Sequence, residues 1–569
     1  MPGQKVFSGP RAGRGPASDL NYTSLMVSQS ELRGALRRYW GYDSFRPLQE
    51  KVVRSLMGGH DTCAVMPTGF GKSLCYQLPA AMLSNETVVV VSPLIALMQD
   101  QVAQLTQMGI PSALLNSSLT RPQQAQVIGE AAEGKYRLLY LSPERLASAD
   151  TLQWLRRVPI SFFAIDEAHC ISEWGHEFRP EYRQLSRLRT DFPDQRIAAF
   201  TASATRHVRH DIIEQLGLRD PHKYIASFYR PNLRYFAIEC DEKTQQKMLL
   251  AALHHYAGEN VIAYAPTIAK VESTVEFLEE NQIPAIPYHG KMDSDSRRQN
   301  QERWMADEVR VLVGTIAFGL GINKPAVRAV IHLALPKSIE QYYQEAGRAG
   351  RDGLPADCVL LWRRRDAGLL AYFIGLLTDP AEKERGWQRY HEILGYAESK
   401  VCKHLQICRH FGEVPKWKTC AACDACGCEL AWSSIAPKLE ALESPKRAPQ
   451  PLGTPSRSES LQRHASVEVD PDLREYLRQW RQQTAKQFNL AAFIIMHDTS
   501  LDELCRIRPG TLAELRKVSG FGERKTESYG QQILDALKRF DRGARASEPV
   551  PKIRIRKKKQ WKEIRRVAT

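Results

Sequence analysis

The sequence predicts an α/β protein with two consecutive parallel-sheet units, followed by a helical metal-binding module and a small all-α domain. Short apolar runs rich in Val, Ile, Leu and Phe lack the alternation of a half-buried strand, which favours strands buried on both faces. Helical patterns separate these runs, as they do in parallel sheets. The length of 569 residues is enough for three or four domains at about 150 residues each.

The predicted strands form two series. The first unit, 28–225, contains five runs, at 61–66, 87–94, 136–143, 161–169 and 196–205. The second unit, 226–362, contains five more, at 260–266, 285–290, 310–315, 329–336 and 357–362. Between two of the latter, residues 267–281 show the pattern of an amphipathic helix.

Composition divides the rest of the chain. We expect a disordered extension, a helical cysteine-rich module, a Pro/Ser-rich linker, a compact helical domain and a basic tail, at 1–27, 363–430, 431–469, 470–541 and 542–569. The formal net charge is +15, and the tail holds eleven Lys or Arg against two Glu. Such a tail favours nucleic acid or an anionic membrane surface as a partner, or is a solubilising end.

Composition also excludes several classes of protein. An apolar fraction of 43% with 25% charged residues is that of a globular chain rather than a disordered one. No apolar stretch reaches the ~18 residues of a membrane span, and the N-terminus lacks the pattern of a secretion signal. We therefore expect a soluble protein, cytoplasmic in a bacterium or nuclear in a eukaryote, without a membrane partner.

The segment MPTGFGKS (66–73) follows the first predicted strand and opens a helix. Backbone amides of such a Gly-rich turn surround a phosphate, and the following lysine reaches the β- and γ-phosphates while the serine hydroxyl ligates Mg²⁺. The first Gly of the common phosphate-loop pattern is replaced here by Met66. The residues expected to bind nucleotide are Thr68, Gly69, Gly71, Lys72 and Ser73.

Two further motifs suit phosphoryl chemistry. DEAH (166–169) ends a predicted strand, which predicts that Asp166 holds Mg²⁺ and that Glu167 positions or deprotonates the attacking water. In the second unit, QEAGRAGRDG (344–353) places Arg348 and Arg351 three residues apart. Arginines supplied from a second lobe stabilise charge on the transferring phosphoryl group, and they couple lobe closure to hydrolysis. This combination favours a motor over a kinase.

With these motifs, the chain resembles the RecQ family of superfamily 2 DNA helicases over about residues 30–428. The motifs that carry the resemblance, in the family's order, are GYDSFRPLQ (41–49), MPTGFGKS (66–73), VSPLIALMQDQ (91–101), LSPERL (141–146), DEAHCISEWGHEFRPEY (166–182), FTASAT (200–205), YHGKMDSDSR (288–297), GTIAFGLGINKP (314–325) and QYYQEAGRAGRDG (341–353). The resemblance implies two RecA-like lobes, ATP and Mg²⁺ as cofactors, and an adenine-reading role for Tyr42, Arg46 and Gln49.

The segment after DEAH resembles the family's aromatic-rich loop, which links binding of single-stranded DNA to ATP hydrolysis. Its expected DNA contacts are Trp174, His176, Phe178 and Arg179, with Trp174 and Arg179 preferred. Base–aromatic stacking contributes ~1–3 kcal/mol per base and tolerates any sequence, which suits a translocating motor. Packing of these aromatic residues in a core is the alternative. Ser203, Thr205 and Thr315 resemble backbone-contacting or coupling positions.

Six of the twelve cysteines lie between Cys402 and Cys428, which in an intracellular protein favours a metal site over disulfides. The spacing of four of them resembles the RecQ zinc module and implies Zn²⁺ ligands at Cys402, Cys420, Cys423 and Cys426. Four thiolates make a closed, structural site. Participation of Cys408 or Cys428, and a Cys₄ iron–sulfur cluster, remain alternatives.

Beyond the cysteines, the chain departs from the common RecQ pattern. Only 41 residues, 429–469, separate the cysteine cluster from the next domain, too few for the winged helix that many family members carry. Residues 470–540 resemble the helicase-and-RNase-D C-terminal (HRDC) domain. Within it, GFGERK (520–525) is either a phosphate contact through Lys525 or an interhelical turn.

The resemblance implies an ATP-dependent helicase that moves 3′→5′ on single-stranded DNA and unwinds duplex or branched DNA in recombination, repair and replication. An RNA helicase with tandem lobes is the first alternative, which the aromatic loop and cysteine cluster disfavour. The second is a non-enzymatic DNA-binding or strand-annealing protein, which would not need the complete ATP site present in this sequence.

Overall fold

The computed structural model describes residues 27–546, apart from 117–118, 176, 317, 319–323, 433–468, 489 and 491. Nearly all of the N-terminal extension and of the linker, and most of the basic tail, therefore lie outside the described residues, as does His176. The described residues contain two parallel sheets, each flanked by helices, and two helical regions, which confirms the predicted fold class.

The first sheet belongs to lobe 1. Its strands are β1 (Thr62–Val65), β2 (Thr87–Val91), β3 (Ser112–Leu115), β4 (Leu138–Leu141), β5 (Ile160–Ile165), β6 (Arg196–Thr201) and β7 (His222–Ile225). Within the described part of the chain they pair in parallel in the order β3-β4-β2-β5-β6-β1-β7. The helices are α1 (Gln29–Trp40), α2 (Gln49–Met57), α3 (Lys72–Met82), α4 (Ile95–Gln107), α5 (Arg121–Ala132), α6 (Pro143–Leu146), α7 (Ala149–Leu155), α8 (Pro180–Arg183), α9 (Arg187–Asp191) and α10 (Arg206–Gln215).

The second sheet belongs to lobe 2. Its strands are β8 (Leu233–Glu239), β9 (Asn260–Tyr264), β10 (Ala285–Tyr288), β11 (Val311–Gly314), β12 (Val327–His332) and β13 (Ala356–Trp362), paired in parallel in the order β10-β11-β9-β12-β13-β8 over the described residues. The helices are α11 (Glu242–His255), α12 (Ile268–Glu280), α13 (Ser294–Met305) and α14 (Ile339–Ala346).

Burial on both faces of the sheet explains why the predicted strand segments are apolar throughout. Val89 and Val91 of β2 pack into one apolar cluster, whereas Val88 and Val90 of the same strand pack into another. Because consecutive side chains of a strand point to opposite faces, both faces of this sheet are covered. A strand in that position is apolar throughout, as the sequence shows.

All ten predicted runs contain a strand, and three strands were missed. β7 is mostly exposed, so it lacks an apolar run. β3 has only four residues, SALL, which are too few for a pattern. β8 lies at the edge of its sheet beside β13, and two of its seven residues, Arg234 and Glu239, are charged. All three missed strands lie at an edge of their sheet.

The two C-terminal regions are helical. The cysteine-rich module contains α15 (Arg364–Gly375), α16 (Pro380–Glu398) and α17 (Lys403–His410), and the last domain contains α18 (Pro471–Phe488), α19 (Ala492–Ile495), α20 (Asp498–Ile507), α21 (Leu512–Leu515) and α22 (Glu523–Asp541). No helix among the described residues is long and apolar enough to cross a membrane.

The C-terminal helical domain contacts both lobes. On lobe 1, the hydroxyl of Tyr529 donates a hydrogen bond to Oε1 of Gln107 at 2.8 Å. On lobe 2, the ammonium group of Lys486 lies 2.8 Å from a carboxylate oxygen of Glu308. Lys525 is only 5% exposed, so the GFGERK segment forms an interhelical turn rather than presenting this lysine to solvent.

Candidate active site and metal centre

The predicted phosphate loop connects β1 to α3. The strand ends at Val65 and the helix begins at Lys72, with Ser73 in its first turn. Gly71 caps the helix in the left-handed conformation, with φ of 76°. This backbone conformation favours glycine, and a Cβ at this position would also lie 2.5 Å from Nε2 of Gln49 and displace that side-chain amide.

Two of the three expected adenine-reading residues contact this loop. The side-chain amide of Gln49, which is buried, donates to the carbonyl oxygens of Phe70 at 3.0 Å and Gly71 at 3.1 Å. The guanidinium of Arg46 donates to the carbonyl oxygen of Gly69. Tyr42 is half-buried. Arg46 and Gln49 thus hold the phosphate loop, a contact that sequence reasoning did not foresee.

The two acidic residues of DEAH follow β5 and face the loop. Nζ of Lys72 lies 3.3 Å from Oε1 of Glu167. Burial, followed by the neighbouring Glu167 carboxylate, raises the pKa of Asp166 to about 6. Although burial disfavours the charged form of Glu167, Lys72 and then His169 hold its pKa well below the ordinary value. Asp166 is therefore a buried oxygen donor that gains from a nearby cation, which fits a Mg²⁺ site.

His169, the last residue of DEAH, connects the acidic pair to the aromatic-rich loop. Its Nδ1 lies 2.9 Å from the hydroxyl of Thr201 and 3.3 Å from Oε2 of Glu167. Its Nε2 lies 3.7 Å from Oε2 of Glu177, and the guanidinium of Arg179 donates to that same carboxylate at 3.1 Å. A continuous set of contacts thus leads from Arg179 to Glu167.

The side chains of the aromatic-rich loop are partly exposed. Trp174 is 56% exposed and Phe178 36%. The guanidinium carbon of Arg385, on α16, lies 5.7 Å from the centroid of the Trp174 ring, and that of Arg183 lies 5.8 Å from Phe178. Exposure of this size contradicts the alternative that the two aromatic residues pack in a core.

The arginine motif of lobe 2 lies against the phosphate loop of lobe 1. Arg348 and Arg351 follow α14, and a Cβ built on Gly69 would lie 3.5 Å from Cγ of Arg351. Burial, together with the charges of Arg348 and Arg230, lowers the pKa of Arg351 to about 9. Crowding of positive charge beside a phosphate loop is the electrostatic setting of an anion site.

Two hydrogen bonds join the lobes beside these arginines. The hydroxyl of Thr68 donates to the carbonyl oxygen of Gly347 at 3.1 Å. The side-chain amide of Gln344 donates to the hydroxyl of Ser203 at 2.8 Å. Ser203 is buried, and through this hydrogen bond it joins the two lobes. Thr205 caps α10, and Thr315 is buried after β11.

Four cysteines converge next to lobe 2. The sulfur atoms of Cys402, Cys420, Cys423 and Cys426 all lie within 4.8 Å of one another. Sulfur ligands at ~2.3 Å from a tetrahedral zinc are about 3.8 Å apart, and Cys420 and Cys426 are separated by 3.9 Å. The donor set and spacing fit Zn²⁺. Neither Cys408 nor Cys428 belongs to this cluster.

Four known family models match separate parts of the chain. Residues 46–211 match the DEAD/DEAH box helicase family and residues 244–353 the helicase conserved C-terminal domain. Residues 364–427 match the RecQ zinc-binding domain, and residues 470–537 the HRDC domain.

The curated relatives extend the match over nearly the whole chain. The ATP-dependent DNA helicase RecQ of Pasteurella multocida is 34% identical over 633 aligned positions, covering 96% of this chain and 99% of that protein. This chain belongs to the RecQ family. The RecQ helicase of Haemophilus influenzae is 35% identical, with coverage of 90% of this chain and 96% of its own.

Among solved structures, the DNA-bound DUF1998 helicase MrfA has a TM-score of 0.49 and 19% identity, covering 58% of this RecQ-family chain and 50% of its own. The S. cerevisiae Dbp5 structure with RNA and ADP BeF3 has a TM-score of 0.47 and 15% identity. The match covers 62% of this chain and 88% of the Dbp5 chain.

Several residues of the RecQ-type site have no signal of their own in the sequence. Glu177 and Arg385 became visible only through their contacts with His169 and Trp174. Arg230 lies between the lobes, and its guanidinium donates to Thr68 O at 3.1 Å. An isolated arginine outside a motif predicts nothing without the fold that surrounds it.

Proposed function

We propose that this RecQ-family chain couples ATP hydrolysis to 3′→5′ movement along single-stranded DNA, and so unwinds duplex or branched DNA in recombination and repair. The observation that carries the proposal is the packing of Arg351, from lobe 2, against Gly69 of the phosphate loop in lobe 1. Because the two halves of the site belong to different lobes, hydrolysis depends on how the lobes are placed.

The residues of lobe 1 bind the triphosphate and prepare the water. Lys72 now pairs with Glu167 at 3.3 Å, and a γ-phosphate would compete for the same ammonium group. Transfer of Lys72 to the phosphate frees Glu167 to orient or deprotonate the attacking water. Ser73 and Asp166 would hold Mg²⁺, which neutralises charge on the phosphate oxygens when bound.

The residues of lobe 2 complete the site during closure. Arg348 and Arg351 supply positive charge where negative charge increases on the phosphoryl oxygens. Burial, followed by the charges of Arg348 and Arg230, lowers the pKa of Arg351, and negative charge on the phosphoryl oxygens offsets both effects. The two arginines accelerate hydrolysis to the extent that they bind the transition state more tightly than the bound ATP. Arginines of this type contribute 10³–10⁵-fold in turnover.

The aromatic-rich loop provides the connection to DNA. Exposed Trp174 and Phe178 offer surfaces for base stacking, and Arg179 and Arg385 offer charge for the backbone. Movement of Arg179 with bound DNA would shift Glu177, and through His169 the position of Glu167. Binding of a strand thereby changes the geometry of the water-activating carboxylate.

The zinc centre is assigned a structural role because all four positions are filled by thiolates, which leaves no site for a reacting group. We place the protein with the chromosome, in the bacterial cytoplasm or the eukaryotic nucleus, since its substrate is DNA.

Steady-state ATPase assays with different nucleic acids test the proposal. We expect hydrolysis to require Mg²⁺ and to be stimulated by single-stranded DNA well above the stimulation by RNA of equal length. Stimulation by RNA alone would instead identify an RNA helicase. Strand annealing without any hydrolysis would identify a non-enzymatic DNA-binding protein.

A further inference from the structure

Arg230 lies in the segment that joins the two lobes, between β7 and β8, and is only 6% exposed. Its guanidinium donates hydrogen bonds to carbonyl oxygens of both lobes. The acceptors are Thr68 O at 3.1 Å, Gly347 O at 3.5 Å, Ala349 O at 3.3 Å and Gly350 O at 3.1 Å. Arg230 thus contacts the phosphate loop and the backbone of the arginine motif at once.

The chemistry of the side chain explains why arginine stands here. A guanidinium carries five donors in a rigid plane, so a single group can bridge several carbonyl oxygens with fixed angles. An ammonium group has three donors on a flexible stem and does not reproduce that geometry. Three of the acceptors flank Arg348 and Arg351 in the chain, so their positions determine where these two side chains point.

The same segment is held by the zinc-binding module. Nε2 of His404, on α17, donates to the carbonyl oxygen of Arg230 at 3.1 Å, and Nδ1 of His404 lies 3.2 Å from Sγ of Cys420. The ring of Tyr229 lies between His404 and Trp417, with centroid distances of 4.9 and 4.8 Å. His404 is 1% exposed. Contacts are therefore continuous from a zinc ligand to the phosphate loop.

We propose that Arg230 is a positioning residue for ATP hydrolysis. It holds the arginine motif in register with the phosphate loop, and the zinc-binding module in turn holds Arg230 through His404. The inference rests on the proposed ATPase function. It assigns the zinc-binding module a second task beyond its own folding, namely the alignment of the catalytic arginines.

The first experiment compares Arg230→Gln and Arg230→Lys with the control Arg234→Gln, four residues away. The control loses a 2.6 Å ion pair with buried Asp357, in a different contact. We expect both Arg230 variants to lose about 10²-fold in kcat, because a misplacement of ~1 Å has that effect, with KM and the Kd for a fluorescent ATP analogue changed less than about threefold. Unlike them, Arg234→Gln should keep the wild-type kcat even if its melting temperature falls.

Amide hydrogen exchange provides a readout besides activity. In Arg230→Gln, exchange at residues 347–351 should accelerate, while exchange in the β1 strand should not change. A wild-type kcat in Arg230→Gln would overturn the positioning role. A wild-type kcat in Arg230→Lys would overturn it as well. A wild-type protein without ATPase activity would instead refute the proposed function, and the exchange measurement would still decide whether Arg230 orders the arginine motif.

The second experiment tests the link to the zinc-binding module. His404→Phe removes the donor to Arg230 and keeps the four cysteines. We expect stoichiometric zinc by metal analysis, faster exchange at 347–351 and a fall in kcat of at least tenfold. Loss of zinc in this variant would show that His404 serves the metal centre, and retention of zinc with unchanged exchange and kcat would show no link. Either result would overturn this part of the proposal.

Discussion

Gly347 tests the contact between the lobes directly. A Cβ at this position would lie 2.4 Å from Oγ1 of Thr68, about 1 Å closer than ordinary van der Waals contact, and 2.8 Å from the carbonyl oxygen of Tyr343. The φ of Gly347 is −64°, so alanine is compatible with the backbone and the effect of Gly347→Ala is steric. The added methyl group should move the arginine motif away from the phosphate loop by ~1 Å, which lowers kcat by about 10²-fold.

The assay is ATP hydrolysis at saturating single-stranded DNA, together with the Kd for nucleotide. We expect Kd to change less than about threefold, because the amides of the phosphate loop and Lys72 are untouched. Gly395→Ala serves as the control, since nothing lies within 4 Å of a Cβ at that exposed helical position. This control should keep its activity and gain about 0.5–1 kcal/mol of stability. A wild-type kcat in Gly347→Ala would refute the contact between lobes during turnover.

Further variants test the other parts of the account. Lys72→Ala should weaken nucleotide binding, whereas Glu167→Gln should bind ATP and hydrolyse it very slowly; equilibrium binding and single-turnover hydrolysis separate the two. Trp174→Ala should weaken binding of single-stranded DNA by about 5- to 150-fold in fluorescence anisotropy, the equivalent of one lost stacking contact of ~1–3 kcal/mol. Cys420→Ser should leave less than stoichiometric zinc and lower the melting temperature, since binding free energy at such a site is folding free energy. Deletion of 542–569 should reduce the slope of log affinity for duplex DNA against log salt concentration by several units, since each lost phosphate contact contributes ~0.9 to that slope. ATPase activity should not change. An unchanged slope would mean that the tail does not bind phosphates.

Local signals predicted most of the site. Three motifs were recognised from short segments of the sequence: the phosphate loop, DEAH and the C-x2-C-x2-C run. In each of them, a few residues at short spacing predict the chemistry of the site. In the structure Arg351 lies next to Gly69 of the phosphate loop, although the two residues are far apart in the chain. The proposed role of this arginine came from the need for positive charge, supplied by a second lobe, at a transferring phosphoryl group.

The remaining features depend on long-range packing. Arg230 binds carbonyl oxygens, which every residue carries, so its partners leave no trace in the sequence. The same holds for the docking of α22 on lobe 1, where a Cβ on Gly522 would lie 2.5 Å from the carbonyl oxygen of Arg38. Contacts through the backbone select for shape and space rather than for a recognisable residue pattern.

Unwinding of tailed duplexes tests the central claim most directly. The substrates are DNA duplexes with a 3′ or a 5′ single-stranded tail and an RNA duplex with a 3′ tail, each with and without ATP and Mg²⁺. The account predicts strand separation of the 3′-tailed DNA, in the presence of ATP, at a rate well above that of the other substrates. Preferential unwinding of the 5′-tailed DNA or of the RNA, or strand separation that does not need ATP, would contradict it.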